Sequence, residues 1–533
     1  MASATPSRAT GVSRLFLRKS VEQMHQEHAQ GELKRSLNAL NLISLGIGCI
    51  IGTGIFVLTG RAAANFAGPA IMISFVITGV LCAFVALCYA ELASAVPVSG
   101  SAYSYSYASM GELAAWVMGL LLVLEYGLAA STVAVGWSGY AVSLLHDIGV
   151  HVPPAWTAAP GVMVGAGAAA TAGLANVPAM LAILAVTTLL VIGVSESATV
   201  NNIVVLIKVS VVVAFIAIGV FFVNTDNWFP LIPAEIPPPP EGTPRGLWAD
   251  IWRAMVDVMT AENTSRYGIG GLIGGAATIF FAYIGFEAVS TAGAESKNPA
   301  RDMPIGIIGS LLICTVLYIL TSAVLVGIVP YTDLNDPAPI AKAVNQIGLP
   351  WFAVLVKIGA IAGLSSVMLV LLYGQTRIFY TMARDGLLPG PLAAVHQRFR
   401  TPWINTLIVG GLAACAAGLM PLDALADLTN VGSLAAFAIV CITVIYMRIA
   451  APQLKRPFRT PLFPLTPILG AAMCVFLLMS LMANPATRSF FLTYLGGGIV
   501  VYFGYGLWHS KLGKGEIVLG AEPTPDLPRR LDT

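Results

Sequence analysis

Three ionisable side chains lie deep inside long apolar segments of this sequence. They are Glu125, Lys208 and Glu287. A charge at the centre of a bilayer costs roughly 2.5–3.5 kcal/mol on insertion scales, so such residues are usually retained for a function. A desolvated lysine amine can bind and release a proton, and it can occupy a cation site in place of sodium. We expect Lys208 and Glu287 to handle protons and Glu125 to contact a ligand. The alternatives are snorkelling of Lys208 to the interface and a purely structural carboxyl pair.

Two of the apolar segments are interrupted by glycine near their middles. The first places four glycines within nine residues, among them Gly48, Gly52 and Gly54, and the second has Gly285 just before Glu287. Glycine costs about 1 kcal/mol per helix position relative to alanine, and unwound backbone in a membrane is tolerated only where it lines a cavity. The pattern predicts two discontinuous helices. Close helix packing through Gly48 and Gly52 is the alternative for the first segment.

Broken helices expose backbone groups that can bind ions. The N–H groups near Gly52, Thr53 and Gly54 would begin a new half-helix, whose positive end suits a carboxylate. The carbonyl groups freed at the two breaks suit an ammonium group, and they are those near Ile50, Phe281 and Ile284. An anion site beside a cation site describes an α-amino acid, although other small zwitterions or a polyamine would also fit.

The composition excludes whole classes of protein. The chain has 533 residues, of which 57% are hydrophobic and only 10% charged, with a net charge of +2. Soluble domains are roughly 25% charged, and disordered chains are rich in charge and poor in apolar residues. The sequence has no metal-ligand spacing, phosphate-binding loop, nucleophile–base arrangement or basic nucleic-acid patch. We therefore expect a polytopic membrane protein that is not an enzyme and has no cofactor.

Twelve apolar segments are long enough to be membrane helices, since about 20 apolar residues span a bilayer. They lie near residues 41–60, 69–95, 113–145, 178–194, 202–223, 271–292, 305–329, 350–376, 404–420, 427–447, 466–483 and 490–508. The Ala/Gly-rich stretch 155–176 contains Pro160 and follows Pro153 and Pro154, so we interpret it as a loop. A glycosylation sequon at Asn263 and a short amphipathic helix near 247–261 are expected in the long loop 224–270.

Basic residues orient these segments. With the N-terminus inside, 20 of the 28 Lys and Arg residues fall in inner segments and six in outer loops. Cytoplasmic loops carry the excess of positive charge, so both termini are predicted to be cytoplasmic. His25 and His28 lie in the N-terminal tail with no further ligand set, and we interpret them as solvated.

The two interrupted segments are the first and the sixth. Paired interrupted helices at corresponding positions indicate an internal repeat with a binding site between its halves. Because five is odd, the second copy must be inverted. The predicted parts are an N-terminal segment 1–37, a first repeat 38–225, an outer loop 226–268, a second repeat 269–450, two further helices in 451–510 and a tail 511–533.

At these residues the sequence resembles the amino acid–polyamine–organocation permeases, an all-α family with a LeuT-like 5+5 fold, and especially the cationic amino acid transporter branch and its bacterial relatives. The resemblance extends over roughly residues 35–510. It rests on Gly48 through Phe56, Tyr89 through Leu92, Pro97 through Tyr103, Leu124 through Tyr126, Gly136 through Tyr140, Phe281 through Pro304, Gln375 through Arg377, and Asp385 through Pro389.

The resemblance implies roles for individual residues. Thr53 and Gly54 would bind the substrate carboxylate, the carbonyls of Ile50, Phe281 and Ile284 would receive its amino group, and Phe281 would close the site from outside. Tyr283 belongs to the same set. Lys208 matches the lysine that replaces sodium in proton-coupled relatives, while Glu287 stands where several relatives have aspartate.

The substrate class follows less directly. Met368, bulky and apolar near the expected side-chain pocket, favours small neutral amino acids such as alanine, whereas Glu125 leaves cationic ones open. The expected function is proton-coupled import of L-amino acids by alternating access, in the plasma or inner membrane, by a protein that needs no second copy but leaves room for a small membrane accessory protein. A uniporter or exchanger of cationic amino acids, a sodium symporter, and a channel or receptor are the alternatives.

Overall fold

The architecture is a bundle of apolar helices. The computed structural model describes residues 15–19, 36–97, 101–165, 170–193, 198–236 and 266–515. In chain order its main helices are α1 (Ala39–Ile50), α2 (Ile71–Ala95), α3 (Ser101–Ser109), α4 (Glu112–Asp147), α5 (Val177–Ile192), α6 (Ala198–Gly219), α7 (Gly268–Ile279), α8 (Pro299–Ile328), α9 (Pro339–Gln346), α10 (Pro350–Arg384), α11 (Trp403–Leu419), α12 (Leu422–Ala450), α13 (Leu465–Met482) and α14 (Pro485–Val501).

Each of the twelve predicted segments is helical. Within the described ranges, nine helical stretches are long and apolar enough to cross a membrane, and α1, α5 and α11 are shorter apolar helices. The chain is thus an all-helical polytopic membrane protein. Polar side chains mark where some helices begin. The side-chain amide oxygens of Asn38 and Asn176 accept hydrogen bonds from the backbone N–H groups of Asn41 and Ala179. A capping amide of this kind satisfies a donor that the first turn leaves unpaired.

The described residues of the stretch 155–176, which are 155–165 and 170–176, form no helical span, and this confirms its interpretation as a loop. It contains a 3-10 turn at Pro154–Trp156 and a small antiparallel pair of strands, β1 (Met163–Val164) and β2 (Thr171–Ala172). Of the long loop 224–270, residues 237–265 lie outside the described ranges. The amphipathic helix expected near 247–261 and the sequon at Asn263 fall there, as does the His25–His28 cluster in the tail.

The first and the last described segments of the chain meet at one end of the bundle, which we call the terminal end. Lys19 forms an ion pair with Asp385, whose closest N–O distance is 3.1 Å, and Phe16 lies against the backbone of Gly111. From the other end of the chain, Ser510 donates a hydrogen bond to the carboxylate of Glu112. These contacts place the start of α4 and the end of α10 at the terminal end.

The core of the bundle surrounds α4. This helix packs along α10 and α12, while α8 packs along α1 and α2. The two interrupted segments lie where these groups of helices meet.

Candidate functional site

The first apolar helix is broken where its glycines predict. Helix α1 ends at Ile50, Ile51 is extended with φ −73° and ψ 97°, and the chain becomes helical again in a π-helical turn over Gly54–Leu58. The gap contains Gly52. The predicted discontinuous helix is therefore confirmed, and the second half of this segment begins inside the bundle.

Packing and unwinding are divided between two glycines of this segment. A Cβ on Gly48 would lie 3.0 Å from Val205 Cγ2 on α6, so this glycine allows close helix packing. A Cβ on Gly52 would meet only the Val367 side chain at an ordinary distance of 3.6 Å. Gly48 thus allows close helix packing, and Gly52 lies where the helix is unwound.

The sixth segment is broken as well. Helix α7 ends at Ile279, a 3-10 turn covers Phe280–Tyr283, and a second 3-10 stretch runs over Glu287–Glu295. Between them Gly285 has a φ of +122°, and a Cβ there would lie 2.8 Å from the backbone of Cys49. Glycine is required for both reasons, and the contact places the second break directly against the first.

A small cavity lies between the two breaks. In this conformation it is partly open and has space for about one water molecule. Backbone and side chains of eleven residues form its wall: Cys49, Ile50, Gly52, Thr53, Gly54, Ala129, Val133, Phe281, Ile284, Val367 and Leu371. The only side-chain oxygen among these residues is that of Thr53, so the wall is apolar apart from its backbone.

Six of the predicted site residues line this cavity, and they are Ile50, Gly52, Thr53, Gly54, Phe281 and Ile284. Tyr283 lies outside it, since its hydroxyl donates to the carbonyl of Phe75 over 2.8 Å. Met368 is buried but absent from the wall, which instead contains Val367 and Leu371. Successive side chains on a helix differ by about 100° in direction, so a difference of one residue changes which side chain reaches the cavity.

Five wall residues were not predicted: Cys49, Ala129, Val133, Val367 and Leu371. Ala129 and Val133 are four residues apart on α4, as are Val367 and Leu371 on α10. That spacing places each pair on one helix face. The spacing is visible in the sequence, but similar pairs occur throughout these helices, and nothing local distinguishes a cavity face from a packed one.

Lys208 does not snorkel. Its side chain is fully buried, and Nζ donates to the carbonyl oxygens of Gly48 and, over 3.2 Å, of Ile51. Both carbonyls belong to the last turn of α1, which lacks intrahelical donors. The amine thus lies against the carbonyl groups of the first break and is not among the residues of the cavity wall.

Two of the three carbonyl groups expected to receive an ammonium group also have donors within the protein. The Tyr318 hydroxyl donates to Ile50 O over 2.7 Å, and the backbone N–H of Ile284 donates to Phe281 O over 3.3 Å. A carbonyl oxygen accepts two hydrogen bonds, so each retains one site for a ligand. The first contact also ties α8 to the first break.

Glu125 and Glu287 are fully buried and lie outside the cavity wall. Glu287 accepts a 2.8 Å hydrogen bond from the backbone N–H of Gly285. Among the described residues no group of three His, Cys, Asp or Glu side chains could hold a metal ion.

Broken helices that enclose a small cavity inside an apolar bundle are the architecture of a membrane transporter that binds its cargo between helices. The family model described as "Amino acid permease" matches residues 37–504. The chain belongs to the amino acid permeases of the amino acid–polyamine–organocation superfamily, which are transporters and not enzymes. The predicted class of protein is thereby confirmed.

Three relatives illustrate the range of cargo in this family. A methylthioribose transporter of Bacillus subtilis is 44% identical over 503 residues, 94% of this chain and 100% of the relative. The branched-chain amino acid permease BcaP of the same bacterium is 44% identical over 500 residues, 93% of this chain and 99% of the relative. The vacuolar cationic amino acid transporter 4 of Arabidopsis thaliana is 36% identical over 443 residues, 82% of this chain and 68% of the relative.

Proposed function

We propose that the protein imports neutral aliphatic L-amino acids by proton-coupled symport with alternating access. The observation that carries this proposal is the combination of polar backbone and apolar side chains around the cavity. Residues of the two broken helices line one part of it, and aliphatic residues of α4 and α10 line the rest. An amino acid with an aliphatic side chain likewise combines charged backbone groups with an apolar side chain.

The backbone of the substrate would be bound by helix ends. The half-helix that starts at Gly54 presents the N–H groups of Gly52, Thr53 and Gly54, which suit a carboxylate. The carbonyls of Ile50, Phe281 and Ile284 would receive the ammonium group. Recognition by backbone is independent of the substrate side chain, which agrees with a family of varied cargo.

The substrate side chain would lie between Ala129 and Val133 on one side and Val367 and Leu371 on the other. This wall extends the expected substrates from alanine to branched-chain amino acids, the cargo named for BcaP. Because a guanidinium group buried without a charged or polar partner is costly, the apolar wall argues against cationic substrates. Glu125 lies outside the wall and offers no counter-charge within it.

Lys208 would couple transport to protons. Its ammonium group takes the position in which a sodium ion would bind the carbonyls of Gly48 and Ile51. Deprotonation would remove the charge that holds the two carbonyls together at the break. A sodium symporter would instead need that position empty, and Glu287 is the second residue that we assign to coupling.

We also propose an arrangement of the helices, a set of moving helices and an orientation in the membrane. The LeuT-like arrangement comprises inverted repeats at 38–225 and 269–450, with two further helices in 451–510. We expect the helices of segments 1, 2, 6 and 7 to move against the others. Both termini would be cytoplasmic in the plasma or inner membrane, and one copy of the chain would suffice for transport.

Methylthioribose is the second candidate substrate, because the transporter named for it is 44% identical over the full length of that relative. Its thioether could occupy the aliphatic wall, and its hydroxyl groups could contact the backbone of the breaks. It has no ammonium group, so it would leave the carbonyl side of the cavity without a cation. This difference favours an amino acid.

Uptake into proteoliposomes decides between these functions. Labelled leucine should accumulate when the outside is made acidic, and alanine, valine and isoleucine should compete, whereas arginine and methylthioribose should not. Accumulation that follows a sodium gradient and ignores pH would overturn the coupling. Competition by methylthioribose but by no amino acid would replace the substrate, and flux without saturation would indicate a channel.

A further inference from the structure

A second polar cluster lies one helical turn from the cavity, toward the terminal end. Glu125 precedes the cavity residue Ala129 by four positions on α4, and Gln375 follows Leu371 by four on α10. Residues four apart share a helix face. Both helices place the polar residue on the terminal side of the apolar one, so Glu125 and Gln375 lie beyond the cavity residues toward that end.

The members of this cluster are buried and incompletely paired. In the described part of the chain, neither carboxylate oxygen of Glu125 has a hydrogen bond of good geometry, and the same holds for both amide atoms of Gln375 and the hydroxyl of Tyr89. All three residues are at most 1% exposed. Buried polar atoms without partners are rare in native proteins and usually indicate an ordered water or another ligand.

Glu125 and Glu287 form the centre of the cluster and interact with each other. Glu287 is held by the N–H of Gly285 at 2.8 Å and faces the hydroxyl of Tyr126 at 3.5 Å. Ser433 of α12 lies beside Glu125. The pair is therefore fixed between the second break and two helices that surround the cavity.

Among the described ion pairs none includes Glu125 or Glu287. The titratable groups seen to interact with it are hydroxyls and a thiol, namely those of Tyr89 and Cys82 of α2 and of Tyr126 of α4. The Lys208 ammonium group donates to carbonyls at the C-terminal end of α1. Two carboxylates in such a site cannot both be ionised.

We propose that Glu125 and Glu287 share one proton and form a proton-binding site separate from Lys208, which loads and releases a transported proton at the terminal side of the cavity. In the loaded state the carboxyl O–H of one residue donates to the carboxylate of the other. When water reaches the cluster, that O–H bond breaks, its electron pair stays on the carboxylate oxygen, and a water molecule takes the proton as hydronium. Tyr89 and Gln375 have the unused polar atoms to position that water. This inference rests on the proposed coupling of transport to protons.

Infrared spectroscopy of the reconstituted protein tests the shared proton without relying on transport. At neutral pH the wild type should show the carbonyl stretch of a buried, protonated carboxyl group, and the double variant Glu125→Gln, Glu287→Gln should lose it. Glu112→Gln is the matched control, because Glu112 is also buried on α4 but accepts hydrogen bonds from the hydroxyls of Tyr107, Tyr502 and Ser510. This control should retain the signal.

Transport measurements then test the role of that proton. The number of protons carried per leucine, measured with a trapped pH indicator, should fall by one in the double variant. Glu125→Asp, which keeps a carboxyl group, should retain both the infrared signal and the stoichiometry, and it replaces the double variant if that protein does not fold.

The outcomes separate the two proposals. An infrared signal that is absent from the wild type, or unchanged in the double variant, would overturn the shared proton even if uptake follows the pH gradient. A lost signal with unchanged stoichiometry would leave a structural proton and overturn the transport role. A signal that behaves as expected in a protein without proton-driven uptake would overturn the proposed function and leave the proton-sharing pair standing.

Discussion

The Nζ atom of Lys208 lies 3.2 Å from the carbonyl oxygen of Ile51, the first residue after the end of helix α1. The carbonyl of Gly48 accepts from the same amine. A charged donor strengthens both hydrogen bonds, so a single ammonium group stabilises two carbonyls that the interrupted helix leaves without partners. The charge of Lys208 and the geometry of the first break are therefore linked.

Replacing Lys208 by methionine should abolish accumulation driven by a pH gradient. The variant keeps an unbranched side chain of similar length but has no proton to exchange. We expect counterflow exchange of leucine to persist in part, because the cavity wall is unchanged. Initial uptake rates with and without the gradient measure the effect.

Lys357→Met provides the matched control for this variant. Lys357 is also a buried lysine within an apolar helix, but it pairs with Asp147 over 2.5 Å. Its replacement should leave the response to pH intact. If a Lys208→Met protein still accumulates leucine when a pH gradient is imposed, another group performs the coupling.

Filling the aliphatic part of the cavity should change substrate selection. Ala129→Val adds two methyl groups to the wall, so leucine should lose more than alanine. One methylene in an apolar pocket discriminates by about 10–200-fold. We therefore expect the ratio of kcat/KM for leucine to that for alanine to decrease by a factor in this range. Competition assays with both amino acids measure the ratio.

Cys415→Val is the corresponding control on α11, since Cys415 is exposed on the surface of the bundle. It should leave the leucine-to-alanine ratio unchanged. An Ala129→Val protein with the wild-type ratio would place the substrate side chain elsewhere.

The ion pair between Arg61 and Asp423 should influence how often the cavity opens on the side opposite the terminal end. Arg61 Nη2 lies 2.6 Å from Asp423 Oδ2 and joins the second half of the first segment to α12. The Asp423 side chain is 53% exposed, so the pair contributes at most about 1 kcal/mol, equivalent to roughly a fivefold change in population. Asp423→Asn should raise the labelling rate of Cys49 by up to this factor.

A membrane-impermeant thiol reagent measures that rate, because Cys49 lies in the cavity wall. Cys49→Ala identifies the background from the other cysteines, and leucine should protect Cys49. Lys342→Ala is the control, since Lys342 and Asp336 form an ion pair at 3.8 Å outside the broken helices. Equal labelling in the Asp423→Asn and wild-type proteins would remove any gating role from this pair.

Gly54→Ala should destabilise the protein and stop transport. A Cβ at this position would lie 2.2 Å from Cα and 2.8 Å from N of Ala282, so the clash is with backbone that cannot rotate away. Overpacking of this kind costs about 1–3 kcal/mol. The thermal midpoint in detergent and leucine uptake should both fall.

Gly127→Ala is the control, because a Cβ there meets nothing within 4 Å. It lies within α4, where alanine is favoured over glycine by about 1 kcal/mol, so its thermal midpoint should stay level or rise. If the two variants behave alike, the close contact of the two broken helices is not required.

The sequence by itself determined the features that depend on local chemistry. Apolar length defines the twelve helices, and glycine at Gly52 and Gly285 defines both breaks, because backbone strain and helix propensity are properties of neighbouring residues. Six of the predicted site residues line the cavity for the same reason, since the backbone around the breaks must border it. The low charge content made Lys208 conspicuous before its partners were known.

Only the tertiary structure decided which side chains face the cavity and which face each other. Tyr283 donates to Phe75 rather than to the cavity, and Val367 lines the wall where Met368 was expected. A helix rotates by about 100° per residue, and its rotation is set by packing against neighbours that are distant in sequence. The pairing of Glu125 with Glu287 likewise joins helices 162 positions apart along the chain, and no local pattern could have brought them together.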